Sequence, residues 1–392
     1  MLRKSKLTQE QISEINKVKI IRLIKEKEEI TKLELGTKLG LSHTTINTYI
    51  QTLIDEGLVQ IAGVAASSGG RKPIIVKLIP EAKYSFGVSI TPTKAYIVLV
   101  NLAYKETTRD CFSYGRDEKM ENILRILKEH VEKIIKDNLL DRKKILGIGI
   151  VFPGTVDDDK ILIESAPNLK VKNYSLKGFQ EEIGMKIYAE KEANAAAYAE
   201  QLVGNAKDEG NFVYVSIAEG IGAGVIIENY IYKGRKKKAG EFGHMKVSDE
   251  KIKCNCGRYG CWERFASKNA LLNYFEQYKN QKGYSLEELF YAYNHGDIDA
   301  IQAVEKYARY LFVGIENILL SVNPDCIVIG GDLGGYAEEI IKVAVDKLKL
   351  TENFFGYENI KIYCSGLKEN GAIIGAALLP LEEIFNYQKN VI

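Results

Sequence analysis

The chain has 392 residues and a net charge of +2, with 46% hydrophobic and 27% charged residues. This length predicts two or three domains, and the composition is typical of an ordinary soluble globular protein. The longest apolar run, residues 145–152, is too short to cross a bilayer, and no apolar stretch follows the basic N-terminus as it would in a secretion signal. We therefore expect a cytoplasmic protein with no membrane partner, and the use of cysteine fits a reducing compartment.

The first 80 residues differ in charge from the rest of the chain. They hold 13 Lys or Arg and 8 Asp or Glu, a net charge of +5, whereas the remainder carries a net charge of −3. A basic N-terminal segment favours a polyanionic partner. Charge alone does not decide the matter, because a similar excess is common on solvated helical surfaces.

The order of predicted elements in this segment is more specific. Apolar spacing predicts three helices followed by two strands, over residues 8–27, 31–39, 42–54, 58–61 and 73–78. Thr31 and Ser42 are good N-cap residues, and Gly40 breaks the chain between the second and third helices. The pattern predicts a winged helix-turn-helix over residues 1–80, rather than a small helical protein-interaction domain with a hairpin.

The exposed start of the third helix carries short polar side chains, and the segment between the two strands ends in two cations. Such polar groups suit base edges and phosphates in a major groove, and a basic wing tip suits the phosphate backbone or the minor groove. We predict that this domain binds double-stranded operator DNA, with each polar residue a base reader, a phosphate contact or a bystander. The predicted DNA contacts are Ser42, His43, Thr44, Thr45, Asn47, Thr48, Arg71 and Lys72.

The remainder of the chain alternates strands and helices in two similar sets. Each set begins with two strands joined by a tight turn, the first near residue 84 and the second near residue 211. Two α/β sets predict two lobes with a ligand cleft between them. We place the first lobe at residues 81–193 together with 371–392, and the second, with the zinc loop described next and the dimerisation helices, at residues 194–370.

The sharpest local pattern in the second lobe is one histidine with three cysteines, namely His244, Cys254, Cys256 and Cys261. Three thiolates and one imidazole make a closed tetrahedral zinc set, and Gly257 and Gly260 allow the loop to turn tightly. Four protein ligands leave no open position, so we predict a structural Zn²⁺ that holds the loop and does not activate water. The alternatives are reduced core cysteines that happen to be close, or redox chemistry.

The body contains the motifs Gly220-Ile-Gly-Ala-Gly224, Gly240-Glu-Phe-Gly-His244, the Cys-rich loop and Ile329-Gly-Gly331. Together they resemble the motifs of the ROK family, which contains repressors and sugar kinases. The helix-turn-helix followed by Ser68-Gly-Gly-Arg-Lys-Pro73 is similar to the repressor branch, which includes xylose-repressor-like and N-acetylglucosamine-repressor-like members.

This resemblance implies a two-lobed α/β body with an actin-like ATPase-type fold, related to ribonuclease H, and a sugar in its cleft. It also implies sugar contacts at Asn168, Glu241, His244 and Glu263, with His244 on the zinc as well. Carboxylates accept hydrogen bonds strongly from sugar hydroxyls. For Glu241 and Glu263 the alternative is an ordinary solvated surface charge.

Two segments depart from the pattern of a ROK kinase. The Asp-x-Gly-Gly-Thr turn that holds ATP phosphates and magnesium is replaced by Ser89-Ile-Thr-Pro-Thr93, which lacks both the carboxylate and the glycines. The catalytic aspartate of an Asn-Asp-Ala-Asn run is replaced by Glu192, whose reach differs by one methylene. We therefore predict no kinase activity and expect Glu192 to hydrogen-bond the sugar. Lys191 replaces the sugar-contacting asparagine, and either selects a different or acidic ligand, pairs with Glu192 or points away.

Together these features predict a sugar-responsive repressor of carbohydrate-utilisation genes, released from its operator by a sugar such as xylose. A homodimer, or a tetramer, would place two recognition helices on a near-palindromic operator. The competing interpretations are a ROK sugar kinase with an extra N-terminal domain and an architectural DNA binder without a ligand.

Overall fold

The computed structural model describes residues 8–65, 72–348 and 360–386. The chain forms a head, residues 8–78, and a body, residues 84–385, which consists of two lobes. Within the described ranges, no helix is both long and apolar enough to cross a bilayer.

The head contains three helices and a three-stranded sheet. These are α1 (Gln9–Lys27), β1 (Glu29–Thr31), α2 (Lys32–Leu39), α3 (His43–Asp55), β2 (Val59–Val64) and β3 (Ile74–Leu78). The side chains of Thr31 and Ser42 cap α2 and α3, and Gly40 ends α2 with a φ of 66° that favours glycine. The sheet has one strand more than predicted, because β1 pairs antiparallel with β3 and gives the order β1-β3-β2.

The first lobe is built on a five-stranded sheet. Its elements are β4 (Tyr84–Ile90), β5 (Lys94–Asn101), β6 (Glu106–Ser113), α4 (Met120–Asp137), β7 (Ile145–Phe152), β8 (Thr155–Asp157), β9 (Leu162–Ala166), β10 (Val171–Ser175), α5 (Lys177–Ile183) and β11 (Ile187–Lys191). The sheet order is β11-β7-β4-β5-β6, and β8 to β10 form a small separate sheet. The stripe Ile123, Leu127, Val131 and Ile134 of α4 joins the buried core of this lobe, as its helical spacing dictates.

The second lobe repeats this layout. Its elements are α6 (Glu192–Val203), β12 (Phe212–Ile217), β13 (Ile221–Ile227), β14 (Tyr230–Ile231), α7 (Glu263–Ala266), α8 (Lys268–Lys279), α9 (Leu286–Asn294), α10 (Ile298–Val322), β15 (Cys326–Gly331), α11 (Ala337–Leu348) and β16 (Lys361–Cys364). The sheet order is β14-β13-β12-β15-β16, with β12 antiparallel to β13 and parallel to β15.

The last helix, α12 (Gly371–Phe385), returns to the first lobe and packs on β4, β7 and α6. Close approach requires glycine here, because a Cβ on Gly149 would lie 1.8 Å from the carbonyl oxygen of Ala376. The residue boundaries proposed for the three domains stay predictions.

One hydrophobic core continues from the head into the body. It contains Ile20 and Ile24 of α1, Leu102 of the first lobe and Leu381 of α12, all of them buried. The head is therefore packed against the body, with α1 and α12 in contact.

Candidate functional site

The exposed face of α3 carries the predicted DNA contacts in two groups. Ser42 Oγ accepts a hydrogen bond from the Thr45 amide at 3.1 Å and lies 2.8 Å from Thr45 Oγ1, so these hydroxyls help to start the helix. Asn47 Nδ2 lies 3.0 Å from His43 Nδ1, which fixes the amide on the same face. Ser42, His43 and Thr44 are exposed, and Thr45 and Asn47 are half-buried.

The remaining DNA predictions concern α3 and the wing. The exposed Thr48 hydroxyl donates to the carbonyl oxygen of Thr44 at 3.1 Å, which leaves its oxygen able to accept. Lys72 is exposed at the base of the wing. The predicted contact Arg71 lies outside the described residues.

Four of the six predicted sugar contacts form a continuous polar chain between the lobes. Lys191 Nζ lies 2.6 Å from Glu241 Oε1, and Glu241 Oε2 lies 3.9 Å from His244 Nε2. His244 Nδ1 lies 3.9 Å from Glu263 Oε1. The chain runs from the end of β11 in the first lobe to α7 in the second, so a sugar bound along it would touch both lobes.

Lys191 is only 8% exposed, and its partner is Glu241. Of the three alternatives for this lysine, the structure shows a direct ion pair with Glu241 in place of one with Glu192, while the charge of Lys191 still acts on Glu192. The sequence offered no signal for the Glu241 pair, because the two residues are 50 positions apart and belong to different lobes. The prediction that Lys191 alters ligand choice stays a prediction.

Glu192 is half-buried at the start of α6. Burial and repulsion by Asp332 raise the pKa of Glu192 to about 7, although a hydrogen bond with Ser216 opposes the shift. Near neutral pH this carboxyl is therefore a donor part of the time and an acceptor otherwise, which suits a hydroxyl ligand.

Asn168 has no direct hydrogen bond to the other predicted sugar contacts among the described residues. It is half-buried on the 3-10 turn Pro167–Leu169 of the first lobe. Its role at the sugar stays a prediction.

The four predicted metal ligands come together in one loop. Cys254 Sγ lies 3.6 Å from His244 Nδ1, Cys256 Sγ lies 3.6 Å from Cys261 Sγ, and all four donor atoms lie within 4.8 Å of one another. Ligands at about 2.0–2.3 Å from a tetrahedral Zn²⁺ lie roughly 3.5–3.8 Å apart. The donor set and its spacing are thus compatible with structural zinc.

One thiol of this loop has a lowered pKa, and the loop turns tightly at two glycines. Burial raises the pKa values of the other two thiols, Cys254 and Cys261. Although burial raises it, hydrogen bonds from Arg258 bring the pKa of Cys256 down to about 7. Gly257 and Gly260 have φ values of 89° and 74°, as their predicted role requires. The neighbouring Trp262 is fully buried, and its Nε1 donates to the carbonyl oxygen of Tyr310 at 2.8 Å.

The segment that replaces the kinase phosphate turn is closed by its own hydrogen bonds. The Thr91 amide donates to the Lys94 carbonyl oxygen at 2.9 Å, and the Lys94 amide donates to Thr91 Oγ1 at 3.2 Å. Tyr114 OH also donates to the Thr91 carbonyl oxygen at 2.6 Å. These amides are turned to the hairpin itself, whereas a phosphate turn directs its amides at the ligand.

Ion pairs between the lobes were missed by sequence reasoning. Lys237 Nζ lies 3.1 Å from Asp157 Oδ1, and Lys233 Nζ lies 2.5 Å from both Asp158 Oδ2 and Glu190 Oε2. The sequence does contain a hint of these ion pairs, because residues 157–159 are all aspartate and residues 235–238 are all basic.

Comparison with known proteins decides the family. The ROK family pattern matches residues 85–383, about three quarters of the sequence. The chain belongs to the ROK family. A winged helix-turn-helix DNA-binding pattern matches residues 13–60, so the predicted fold class, a winged helix-turn-helix joined to a ROK body, is confirmed.

The relatives include repressors along nearly the whole length of the chain. The xylose repressor of Bacillus subtilis (strain 168) is 31% identical over 319 residues, 81% of this chain and 82% of that protein. The xylose repressor of Caldicellulosiruptor bescii is 26% identical over 389 residues, 96% of this chain and 98% of that protein. A solved ROK family transcriptional regulator, a homologue of the E. coli MLC protein, has the same fold, with a TM-score of 0.82, 24% identity and coverage of 97% of this chain and 99% of that one.

Proposed function

We propose that this protein is a sugar-responsive transcriptional repressor that binds operator DNA through its head and a sugar between its lobes. The observation that carries the proposal is the union, in one packed chain, of a winged helix-turn-helix DNA-binding domain and a ROK body. The xylose repressors among its relatives make xylose the first sugar to test. We further propose that it acts in the cytoplasm as a homodimer, or as a tetramer, and represses genes of carbohydrate utilisation.

The loss of kinase activity is part of this proposal. Phosphoryl transfer depends on positioning and on neutralising the phosphates. The turn at residues 89–93 lacks the carboxylate for magnesium, and the amides of Thr91 and Lys94 are engaged within the hairpin. A glutamate at position 192 has a different reach from the kinase aspartate, which also supports a binding role.

The metal has a positioning role in the proposed function. His244, Cys254, Cys256 and Cys261 would hold a Zn²⁺, which supplies a rigid cross-link in this loop and no reactive water. Because Glu263 follows directly after Cys261 and Trp262, the cross-link would fix this carboxylate against the sugar. Glu241 would be held in the same way through its neighbour His244.

Release from the operator requires that the sugar bind two conformations unequally. We propose that sugar binding changes the angle between the lobes, and that α12 carries the change to α1 of the head. The expected result is weaker operator binding once the right sugar is present. Unchanged or tighter binding across a full sugar panel would contradict release by an inducer.

DNA binding is tested with a matched pair on α3. Thr48 and Thr52 are both exposed, and each hydroxyl donates to the carbonyl oxygen four residues earlier at 3.1 Å. Thr48→Ala should weaken operator binding about 10-fold, the effect of losing one good groove contact, whereas Thr52→Ala, one turn further along, should not. Binding is measured by fluorescence anisotropy with operator DNA selected from random sequences. Equal effects of the two substitutions would contradict the proposed recognition face.

The sugar and kinase questions need separate assays. A thermal-shift screen of xylose, glucose, N-acetylglucosamine and acidic or phosphorylated sugars should raise the unfolding temperature for at least one of them. A coupled assay should show no sugar-dependent ATP consumption, and turnover would favour the kinase alternative. Lys191→Asn should change the order of preference among the sugars, and an unchanged order would remove Lys191 as a determinant of ligand choice.

A further inference from the structure

Two short runs of opposite charge face each other across the cleft. Residues 157–159, at the end of β8 in the first lobe, are three aspartates, and residues 235–238, after β14 in the second lobe, are Arg-Lys-Lys-Lys. Lys237 Nζ lies 3.1 Å from Asp157 Oδ1 and 2.6 Å from Asp159 Oδ2, and it also pairs with Asp158. One lysine of the second lobe therefore contacts all three aspartates of the first.

A second lysine extends these contacts toward the sugar site. Lys233 Nζ lies 2.5 Å from Asp158 Oδ2 and 2.5 Å from Glu190 Oε2. Glu190 is only 4% exposed, and its other oxygen accepts from the Lys191 amide at 2.9 Å. The ion pairs thus run from the exposed rim of the cleft at Asp159 to the residue next to Lys191.

Because these ion pairs are partly buried, we expect them to contribute more to the stability of the interlobe contact than exposed pairs would. Exposed ion pairs contribute little because water and salt screen them, but screening is weaker for pairs that are partly buried, and removing one partner strands the other. The side chains of Asp157 and Glu190 are 12% and 6% exposed. Hydrogen bonds from Lys160 and Lys237 lower the pKa of Asp157 to about 2 against the effect of burial, as expected for a carboxylate held in such a network.

The same residues form part of the wall beneath the head. A cavity of about 2220 Å³ is lined by Asp158 and Lys233 on the body and by Lys19 and Lys77 on the head. A relative movement of Asp158 and Lys233 would reshape the surface that the head faces. The ion pairs therefore lie between the sugar cleft and the DNA-binding domain.

We propose that an interlobe clasp, formed by Asp157, Asp158, Asp159 and Glu190 of the first lobe with Lys233 and Lys237 of the second, holds the cleft closed in the sugar-free protein and limits ligand entry. As regulation of the sugar site, it rests on the proposed function, but the ion pairs themselves use only groups of this chain. Sugar entry requires the pairs to separate, and salt weakens the exposed outer pair at Asp159 more than the buried pairs, so ionic strength affects how often the cleft opens. A rise in salt from about 0.05 M to about 1 M shortens the Debye length to about 3 Å and should favour opening.

Hydrogen–deuterium exchange of the full-length protein without sugar tests the clasp directly. Lys237→Gln should increase exchange at least about 3-fold in peptides covering residues 155–160, 187–191 and 230–240, because local opening exposes their amides. The wild type should approach this behaviour at high salt, whereas the variant should respond less to salt. Lys236→Gln is the matched control, since it removes the same charge from an exposed neighbour that forms no ion pair among the described residues.

Two further variants keep the result decisive. Lys237→Arg retains the charge and should restore slow exchange, and Asp159→Asn, on an 82% exposed partner, should give a smaller change of the same sign without threatening the fold. Equal exchange in Lys237→Gln and Lys236→Gln overturns the clasp. If Lys237→Gln instead accelerates exchange throughout the protein, including α10, it has destabilised the whole fold, and Asp159→Asn is compared with Lys236→Gln in its place. Equal exchange in these two variants then overturns the clasp.

Xylose is then added as a probe of ligand entry. If xylose binds, its association should be about 3-fold faster or more in Lys237→Gln than in Lys236→Gln, and an equal rate contradicts control of entry by the clasp. If xylose and the other sugars do not bind at all, the proposed function fails while the ligand-free exchange result still decides whether the clasp exists.

Discussion

The hairpin turns that open the two lobes occupy equivalent places but have different chemistry. In the first lobe, the turn between β4 and β5 consists of Thr91, Pro92 and Thr93. The amides of Thr91 and Lys94 donate their hydrogen bonds within this hairpin. In the second lobe, the turn between β12 and β13 contains Gly220, and a Cβ there would lie 2.9 Å from Glu263 Oε2. The first turn directs its amides into the hairpin, and the second leaves room for the Glu263 carboxylate at the proposed sugar site. The proposed loss of kinase activity and the proposed sugar site therefore rest on different halves of the cleft.

The largest effect is expected in the second lobe, when one of the four predicted zinc ligands is removed. Cys256→Ser should abolish zinc binding, lower the free energy of unfolding by more than about 4 kcal/mol and weaken the sugar response, because the loop carrying Glu263 loses its cross-link. Elemental analysis and thermal unfolding measure the first two effects. Cys111→Ser, an exposed cysteine outside the loop, is the control. Normal induction by metal-free protein would reduce the zinc to a stabiliser of the fold.

A second test concerns the raised pKa of Glu192. Its pKa is about 7 in the folded protein against 4.5 in a free side chain, so the unfolded chain loses this proton first as pH rises. Stability is therefore unaffected by this group below about pH 4.5, falls between about pH 4.5 and 7, and stays lowered above. Glu192→Gln should gain up to about 3 kcal/mol relative to wild type between pH 4.5 and 8.

The measurement is the difference in unfolding temperature between variant and wild type as a function of pH. Glu181→Gln, on an exposed glutamate, controls for the loss of one charge. A difference for Glu192→Gln that does not change with pH would show that the carboxyl is ionised as easily in the folded protein as in the unfolded chain.

A smaller effect is expected at the turn of the second lobe. Gly220→Ala should displace the end of the Glu263 side chain and weaken sugar binding about 10-fold, with little change in unfolding temperature, because a flexible side chain can move. Isothermal titration with the sugar found in the screen measures the loss. Wild-type affinity would mean that Glu263 does not contact the ligand.

The smallest effect is expected at the turn of the first lobe. Thr91→Ala removes the hydroxyl that bonds both backbone groups of Lys94, and should cost about 1 kcal/mol of stability without changing sugar affinity. Thr93→Ala, on an exposed residue of the same turn, should cost less. Denaturant unfolding and titration measure the two quantities. Loss of sugar affinity in Thr91→Ala would show that the two halves of the cleft are not independent.

The sequence predicted what depends on local patterns. The helix starts at Thr31 and Ser42 follow from N-cap chemistry, and the clustering of the four predicted metal ligands follows from their close spacing in the sequence. The family relationship could be predicted for the same reason, because its motifs are short and contiguous, and the ROK pattern confirms it.

Features that depend on distant residues were not predicted. The Lys191–Glu241 pair and the contacts of Lys237 join different lobes, and no local propensity indicates which of many charges will meet. The extra strand β1 likewise forms only because β3 offers it an edge. The conflict at Lys191, a buried cation where the family has an amide, was visible in the sequence, but its partner was not.

The buried ring beside the metal loop gives the protein an optical signal of its own. Trp262 is the single tryptophan of the chain, it adjoins Cys261 and Glu263, and a Cβ on Gly314 would lie 1.9 Å from its ring. Because one indole accounts for all tryptophan emission, a change in intensity or wavelength reports on a single place, between the metal ligands and the proposed sugar carboxylate. Metal loss and ligand arrival can therefore be followed in real time in the unlabelled protein, with its thiols left free for zinc.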